Sequence, residues 1–370
     1  MKYCLLYILP VLLFACQSQP AVEEKQEAAP INIIAYYAGK AEQVDSFKME
    51  QLTHVIYSFC HLQGNRLHVS NAADTATIER LVKMKERNPS LKVLLSLGGW
   101  GGCKTCSDVF SMDSARKEFA LSVKELLDYF NADGIDLDWE YPAIEGYPGH
   151  AWKPEDKTNF TELVTQLRQT LGDDKEISFA AGGFTKFLEE SIEWKKVMPL
   201  LDRVNLMTYD LIHGYSTETG HHTPLYSTDH QKESTDNAVH YLDSIGIPSN
   251  KLVIGAAFYS RIFENVDSMN NGLYRPCKFK RGVPYKRFAE TYPADSGYVY
   301  HWDSTAQAPW LYNARQQLFV TFDDTTSLRL KTEYAVNKKL NGIMFWQLGE
   351  DVFEDGLLQV IYDAANGKEE

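Results

Sequence analysis

The chain has 370 residues, 44% of them hydrophobic and 24% charged, which is typical of a globular protein with a large core and not of a disordered or fibrous one. Its 37 basic and 50 acidic residues give a net charge of −13, which disfavours a nucleic-acid-binding surface. We therefore expect no nucleic-acid partner, and a neutral or cationic ligand is easier to accommodate.

The N-terminus, residues 1–16, has the features of a lipoprotein signal peptide. Lys2 supplies a positive charge, and residues 5–15 form an apolar run too short for a comfortable transmembrane helix. The sequence LFAC at 13–16 resembles a bacterial lipobox, and an ordinary signal peptide with a chance cysteine is the alternative. The resemblance implies that Cys16 is lipidated, that this lipid holds the protein at a membrane, and that the protein is an exported outer-membrane or cell-surface lipoprotein.

Apolar runs of β-strand character follow a polar, acidic stretch at 17–30, which predicts a flexible tether. Amphipathic segments lie between the runs, such as Ser114–Phe130 behind a candidate cap at Asp113. Eight such units favour a closed (β/α)8 TIM barrel and disfavour the alternative, an open doubly wound sheet. The eight runs are 33–38, 54–60, 92–97, 134–141, 176–181, 203–209, 251–258 and 342–348.

One connection is too long for a barrel loop. Between the seventh run, which ends near Arg261, and a helix that begins near Thr325 lie about sixty residues, where a few would suffice. We predict a small α+β insertion at 262–322, within a barrel formed by 31–261 and 323–366. The insertion is rich in tyrosine and tryptophan, and these aromatics either form its own core or wall a ligand cleft.

Four cysteines follow the tether, namely Cys60, Cys103, Cys106 and Cys277. Cys103 and Cys106 have the spacing of half a zinc site, but no second such pair or closely spaced histidine pair accompanies them. A local disulfide or free thiols are therefore favoured over a metal, and we predict neither a metal nor another cofactor.

The most informative run is DGIDLDWEYP at 133–142. Because side chains alternate across a strand, Asp136, Asp138 and Glu140 share one face. In a barrel this acidic set points inward, where three carboxylates cannot all ionise cheaply. At least one should keep its proton near neutral pH, as a general acid requires. Glu140 is the last of the three and lies nearest the C-terminal mouth, where barrel enzymes keep their active sites.

This run matches the DxxDxDxE signature of glycoside hydrolase family 18, and three further motifs follow in the family's order. SLGGW at 96–100 resembles the third-strand SxGG motif, and MTYD at 207–210 is similar to the sixth-strand MxYD motif. Trp346 stands where the eighth strand supplies a tryptophan floor for the sugar pocket. The resemblance spans residues 32–351.

The resemblance implies a retaining, substrate-assisted hydrolysis of β-1,4-linked N-acetylglucosamine polymers, which include chitin and chito-oligosaccharides. Glu140 would be the general acid and then the general base, and Asp138 would orient the acetamido group of the substrate. Asp136 would hold a proton shared with Asp138, and Tyr209 would donate a hydrogen bond to the acetamido group. The implied substrate-binding residues are Trp100, Met207, Asp210, Tyr215, Tyr259, Arg261 and Trp346.

Tyr215 marks a departure, because common chitinases of the family often have a tryptophan shortly after MxYD; this puts the product-side sugar platform in doubt. Two other functions stay open. An endo-β-N-acetylglucosaminidase acting on N-glycans would use the same strand, although the insertion argues against it. A non-catalytic chitin-binding lectin usually lacks the glutamate, and Glu140 is present.

Overall fold

Eight parallel strands close into a barrel in the computed structural model, which describes Met1 and residues 31–368. Each strand pairs with its neighbours in chain order, and the eighth pairs with the first. The predicted (β/α)8 barrel is therefore confirmed. The barrel strands are Asn32–Tyr37, His54–Gln63, Lys92–Gly98, Gly134–Asp138, Glu176–Gly182, Arg203–Met207, Leu252–Ala257 and Gly342–Trp346. A short strand, Arg66–His68, forms a hairpin with the second.

Helices surround the barrel where apolar residues recur at helical spacing. The helix Asp113–Phe130 buries Phe119 and Leu127 against the strands. The predicted cap is wrong: Asp113 is the first helical residue, and its carboxylate accepts a hydrogen bond from Lys117 (2.7 Å), one turn later, instead of from the backbone. The α-helices are Ala72–Lys83, Cys106–Phe110, Asp113–Phe130, Asp156–Leu171, Thr185–Glu190, Trp194–Val197, Thr235–Ser244, Phe288–Thr291, Thr325–Asn337 and Leu357–Ala365.

A second, five-stranded antiparallel sheet lies between the seventh and eighth barrel strands. Its strands in spatial order are Lys278–Pro284, Tyr259–Glu264, Leu318–Thr321, Ala308–Asn313 and Val299–Asp303. The sheet starts at Tyr259, three residues before the predicted insertion. Tyr259 and Arg261 thus lie on its first strand and do not close the seventh barrel strand, because the chain changes sheets at the buried Phe258, whose N–H bonds to the Trp346 carbonyl (2.8 Å).

The fourth strand shows how the alternation of side chains divides the core. Ile135, Leu137 and Trp139 are buried between the barrel and its helices. Full burial of a large apolar side chain stabilises the fold by about 1.5–3 kcal/mol. Asp136 and Asp138 point the other way, into the barrel, as predicted. The strand ends at Asp138, earlier than predicted, so that Glu140 lies in the segment directly after it.

The four cysteines of the described residues form one disulfide and leave two free thiols. Cys103 and Cys106 form a disulfide, and Cys60 and Cys277 are free. Across the described part of the chain, no helix is long and apolar enough to cross a membrane. The predicted lipidation site at Cys16 lies outside the described residues.

Candidate active site

Asp136 lies at the centre of the barrel interior and is fully buried. Its carboxylate accepts hydrogen bonds from Tyr36 Oη (3.1 Å), Ser96 Oγ (2.9 Å), Ser178 Oγ (2.7 Å) and Asn205 Nδ2 (3.1 Å), which come from four other strands. Burial raises the pKa of Asp136, and the four donors oppose that rise. The barrel thus supplies Asp136 with a full set of partners.

Asp138, two residues on, has the opposite environment. It is 4% exposed, and among the described residues its buried Oδ1 has no hydrogen-bond partner. Burial, followed by the charges of Glu140 and Asp136, raises the pKa of Asp138 well above its usual value. No hydrogen bond joins Asp136 to Asp138 in the described structure, so the shared proton stays a prediction. Because leaving a buried polar atom unpaired is costly, Oδ1 of Asp138 is suited to accept a hydrogen bond from a bound ligand.

Glu140 holds a proton close to neutral pH. Burial raises its pKa to about 7, the Tyr141 hydroxyl opposes the rise, and the negative charge of Asp210 adds to it. A carboxylic acid with a pKa near the operating pH is well suited to proton transfer in both directions. The partly exposed Glu140 and the buried Asp138 therefore form a pair of carboxyls: Glu140 can donate a proton, and Oδ1 of Asp138 has no hydrogen-bond partner among the described residues.

Tyr209 and Asp210 follow the sixth strand and bring a donor and a charge to the same mouth. Burial, and then the charges of Asp138 and Glu140, raise the pKa of Tyr209 well above 10, so its hydroxyl remains a donor. Asp210 has φ 55°, in the left-handed region, and its carboxylate accepts hydrogen bonds from Nε and Nη2 of Arg261. Although burial raises the pKa of Asp210, its contacts with His222 and Arg261 hold it well below the usual range.

Trp346 lies at the end of the eighth strand and is partly exposed. Its ring stacks on Phe59 at 5.5 Å between centroids, with 13° between the planes, and contacts Tyr36 at 6.1 Å. Met207 is 8% exposed and joins the small apolar cluster inside the barrel, against which Trp346 and Tyr209 pack. The structure thus brings the predicted floor tryptophan together with the interior wall.

Three predicted residues lie further out. Tyr259 packs edge-on against Tyr209 at 6.3 Å and lies beneath the guanidinium of Arg261 at 5.4 Å, which joins both to the site. Trp100 is 41% exposed and contacts the ring of Tyr147 at 5.5 Å. Tyr215 is 63% exposed and contacts the ring of His213 at 5.8 Å. Among the described residues, no contact brings Tyr215 to the carboxylates.

Several residues of the site escaped the sequence prediction. Tyr36 and Asn205 face inward by the same alternation that identified Asp136, so the strand pattern could have revealed them. Phe59 lies within the second strand and His222 in a loop, and neither the spacing nor the residue type of either one gives a signal. Their positions depend on how distant segments meet.

Comparisons with known proteins identify the family of the chain. The family model of the glycosyl hydrolases family 18 matches residues 32–351. The chain is 29% identical to Chitinase A1 of Niallia circulans, over 93% of the chain and 60% of that protein. It is 30% identical to chitotriosidase-1 of Mus musculus, over 82% of the chain and 68% of that protein.

A solved structure shares the fold over nearly its full length. It is a glycoside hydrolase family 18 N-acetylglucosaminidase from Paenibacillus barengoltzii, with 32% identity and a TM-score of 0.83, covering 90% of this chain and 99% of that one. The family match runs from the first barrel strand to just beyond the eighth, so it includes every element that carries the site. The chain belongs to the glycosyl hydrolases family 18.

Proposed function

We propose that the protein hydrolyses β-1,4-linked N-acetylglucosamine polymers, which include chitin and chito-oligosaccharides. The observation that carries the proposal is the pairing of Glu140, whose pKa is about 7, with Asp138, whose buried Oδ1 has no hydrogen-bond partner in the described part of the chain. The first can protonate a glycosidic oxygen, and the second can accept the N–H of an acetamido group. Family membership and the chitinases among the relatives support the same substrate class.

The proposed reaction uses the acetamido group of the substrate as its nucleophile. Glu140 donates its proton to the glycosidic oxygen while the acetamido oxygen attacks the anomeric carbon, which breaks the glycosidic bond and forms an oxazolinium ion. Asp138 accepts a hydrogen bond from the amide N–H and balances the positive charge that develops, and Tyr209 donates to the acetamido group. Glu140, now ionised, then takes a proton from a water molecule. The oxygen of this water attacks the anomeric carbon and breaks its bond to the acetamido oxygen, which opens the oxazolinium ring. Two displacements retain the configuration.

A second candidate is the release of single N-acetylglucosamine units from a chain end. The observation that favours it is the likeness to the Paenibacillus barengoltzii N-acetylglucosaminidase, which is matched over 99% of its length. Two further functions are compatible with the same barrel, namely hydrolysis of N-glycans and non-catalytic binding of chitin. These four functions differ in the products that they release.

Product analysis separates these functions. The wild-type protein is incubated with N-acetylglucosamine hexamer, with chitin and with an N-glycosylated protein, and the products are resolved by size, with Glu140→Gln as the inactive control. We expect short oligomers from the hexamer, whereas only monomer would identify the second candidate. Release of glycan from the glycoprotein would identify the N-glycan enzyme, and binding without any product would identify a lectin.

We also propose that Cys16 carries a lipid that holds the exported protein at the outer membrane or the cell surface. The support is the LFAC sequence at 13–16, since acyl chains on one residue anchor a protein to a bilayer. Cys16→Ala should move the protein to the soluble fraction. Metabolic labelling with a fatty acid that leaves the wild-type protein unmarked would contradict the lipoprotein assignment.

A further inference from the structure

His222 is a completely buried histidine directly behind the active-site ion pair. Its Nδ1 lies 3.4 Å from Oδ1 of Asp210, the carboxylate that Arg261 also binds. Its ring packs on Tyr259 at 5.3 Å. Both backbone groups are held, because the N–H of His222 bonds to Thr321 Oγ1 (3.0 Å) and its carbonyl accepts from the N–H of Leu211 (3.0 Å). Neither ring nitrogen makes a hydrogen bond within the described residues, and the carboxylate of Asp210 lies beside Nδ1.

A second ion pair lies close to this histidine. Lys331 and Asp323 are buried, with Lys331 Nζ 2.7 Å from each carboxylate oxygen of Asp323. Lys331 also donates to Thr223 Oγ1 (2.5 Å), the residue after His222. Asp323 accepts from the N–H of Ala257, at the end of the seventh strand (3.1 Å). The charged groups that act on His222 are thus Asp210, Arg261 and Asp323, the last of which is paired with Lys331. The titratable ring of Tyr259 packs on the imidazole.

The charges of Asp210 and Arg261 cancel, as do those of Asp323 and Lys331. The cluster therefore has no net charge only while the imidazole of His222 is neutral. We infer that His222 is a positioning residue which, as a neutral imidazole, holds Asp210 in its pair with Arg261 and keeps this cluster free of net charge beside Glu140. The inference rests on the proposed function. The negative charge of Asp210 raises the pKa of Glu140 and helps to keep it protonated. A change in the charge around Asp210 therefore also changes the pKa of the general acid. Nothing in the proposed reaction requires His222 to touch the substrate.

Protonation of His222 opposes the reaction for an electrostatic reason. Burial lowers the pKa of His222 below 6.5, partly opposed by Asp210, so the ring is neutral at neutral pH and gains its charge only in acid. The added positive charge competes with Arg261 for Asp210. Glycoside hydrolysis passes through a transition state with positive charge on the sugar, which an extra nearby cation disfavours. The activity of the wild type should therefore fall in acid as His222 gains a proton. A variant with an uncharged residue at position 222 should lack this part of the decline.

His221 provides a matched control on the same loop. Its side chain is 1% exposed, and its Nε2 lies 3.1 Å from Oδ2 of Asp303. Its ring packs against Trp310 at 5.7 Å, inside the second sheet's core and away from Asp210. Replacement of either histidine removes a buried imidazole beside a carboxylate, but only His222 faces the site. The two variants therefore remove similar groups and differ in the proposed role.

The experiment compares the wild-type protein with His222→Gln, His222→Phe and His221→Phe on a chromogenic N-acetylglucosamine oligomer from pH 4.5 to 8, below the unfolding temperature of every variant. For His222→Phe at pH 7 we expect kcat to fall about tenfold with KM changed less than about threefold, the size of effect that the loss of one polar contact to Asp210 gives. His222→Gln, which keeps an N–H donor, should recover most of this loss. The ratio of wild-type to His222→Gln kcat should fall about threefold between pH 7 and pH 4.5.

Two results would overturn the inference: a pH-independent ratio of wild-type to His222→Gln kcat, or His222 variants that behave as His221→Phe does. NMR titration of the His222 ring proton is independent of activity and of the phenylalanine variants. We expect a pKa below the usual 6.5 that moves on Asp210→Asn, and a His222 pKa insensitive to that change also overturns the inference. A wild-type protein that releases no product from any oligomer contradicts the proposed function instead, and the NMR result then still decides whether His222 and Asp210 are coupled.

Discussion

Two partly buried clusters at opposite ends of the barrel contain the same residue types, an arginine, a carboxylate and a histidine. At the N-terminal end, His54, Glu176 and Arg203 are inward-facing residues at the starts of the second, fifth and sixth strands. Arg203 Nη2 donates to Glu176 Oε2 and lies 2.8 Å from His54 Nε2, which is itself 3.1 Å from Glu176. This cluster ties together three strand starts.

The cluster at the C-terminal end is built of Asp210, His222 and Arg261, and it differs in its neighbours. Its carboxylate acts on Glu140, the group with a pKa of about 7. Barrel enzymes carry chemistry at the C-terminal end of the strands and stability at the N-terminal end. We therefore expect the same ion-pair chemistry to determine reaction rate at one end and unfolding free energy at the other.

The largest expected effect is at the C-terminal end. Glu140→Gln keeps the shape but removes the transferable proton, so turnover should fall by about 10²–10⁴-fold, the usual contribution of a general acid. Oligosaccharide binding, measured by calorimetry, should survive. Glu176→Gln at the other end is the control and should leave turnover of the folded protein close to normal. Near-normal turnover by Glu140→Gln would show that another group protonates the leaving oxygen.

Arg203→Met breaks the N-terminal cluster. Removing one partner of a buried ion pair costs about 3–5 kcal/mol, and we expect the lower end of that range because the Glu176 side chain is still 23% exposed. Urea unfolding measures the loss, and kcat below the unfolding temperature should change little. If the variant keeps its stability and loses activity, the contrast between the two ends is wrong.

Trp346→Ala should lower kcat/KM by about 10–100-fold, because the stacking surface of one large ring contributes about 1.5–3 kcal/mol. Trp346→Phe retains a smaller ring on Phe59 and should recover part of the loss. Steady-state kinetics on a soluble oligomer measures both variants. A Trp346→Ala protein that loses only thermal stability would place this residue in the core and not in the sugar site.

The smallest effect is a shift of the pH profile. The pKa of Glu140 is raised to about 7, so its acid form, and kcat/KM with it, should decline as the pH rises through that value. Asp210→Asn removes a negative charge that raises this pKa, so the decline should begin at lower pH. If kcat/KM declines over the same pH range in the wild type and in Asp210→Asn, Asp210 does not act on Glu140.

The sequence predicted the barrel and the inward face of the fourth strand because both follow from short-range alternation. Asp136 and Asp138 lie where that pattern puts them, although it could not tell that four donors satisfy one and none satisfies the other. That difference depends on side chains from four other strands. Strand pairing brings these together across up to about a hundred residues of chain, which local patterns do not encode.

The errors have local physical causes. The apolar run continues past Ala257 and so predicts Tyr259 and Arg261 at the end of the seventh strand, but there the chain leaves the barrel for the second sheet. Aspartate is common at the N-cap of a helix, which favours Asp113 as the cap. Its carboxylate instead accepts a hydrogen bond from Lys117, one turn later. His222 gave no signal, since its role depends on three segments that meet only in the fold.

The central mechanistic proposal is that the acetamido group of the substrate, and not Asp138, attacks the anomeric carbon. Both routes retain the anomeric configuration, so the product stereochemistry does not separate them. The most direct measurement is the hydrolysis rate of an oligomer deacetylated only at the sugar in the cleavage site, with its binding measured on Glu140→Gln. We predict that this oligomer binds and resists hydrolysis, and that a thiazoline mimic of the cyclic intermediate inhibits strongly. Efficient cleavage after glucosamine, or a covalent ester trapped on Asp138, would contradict the proposal.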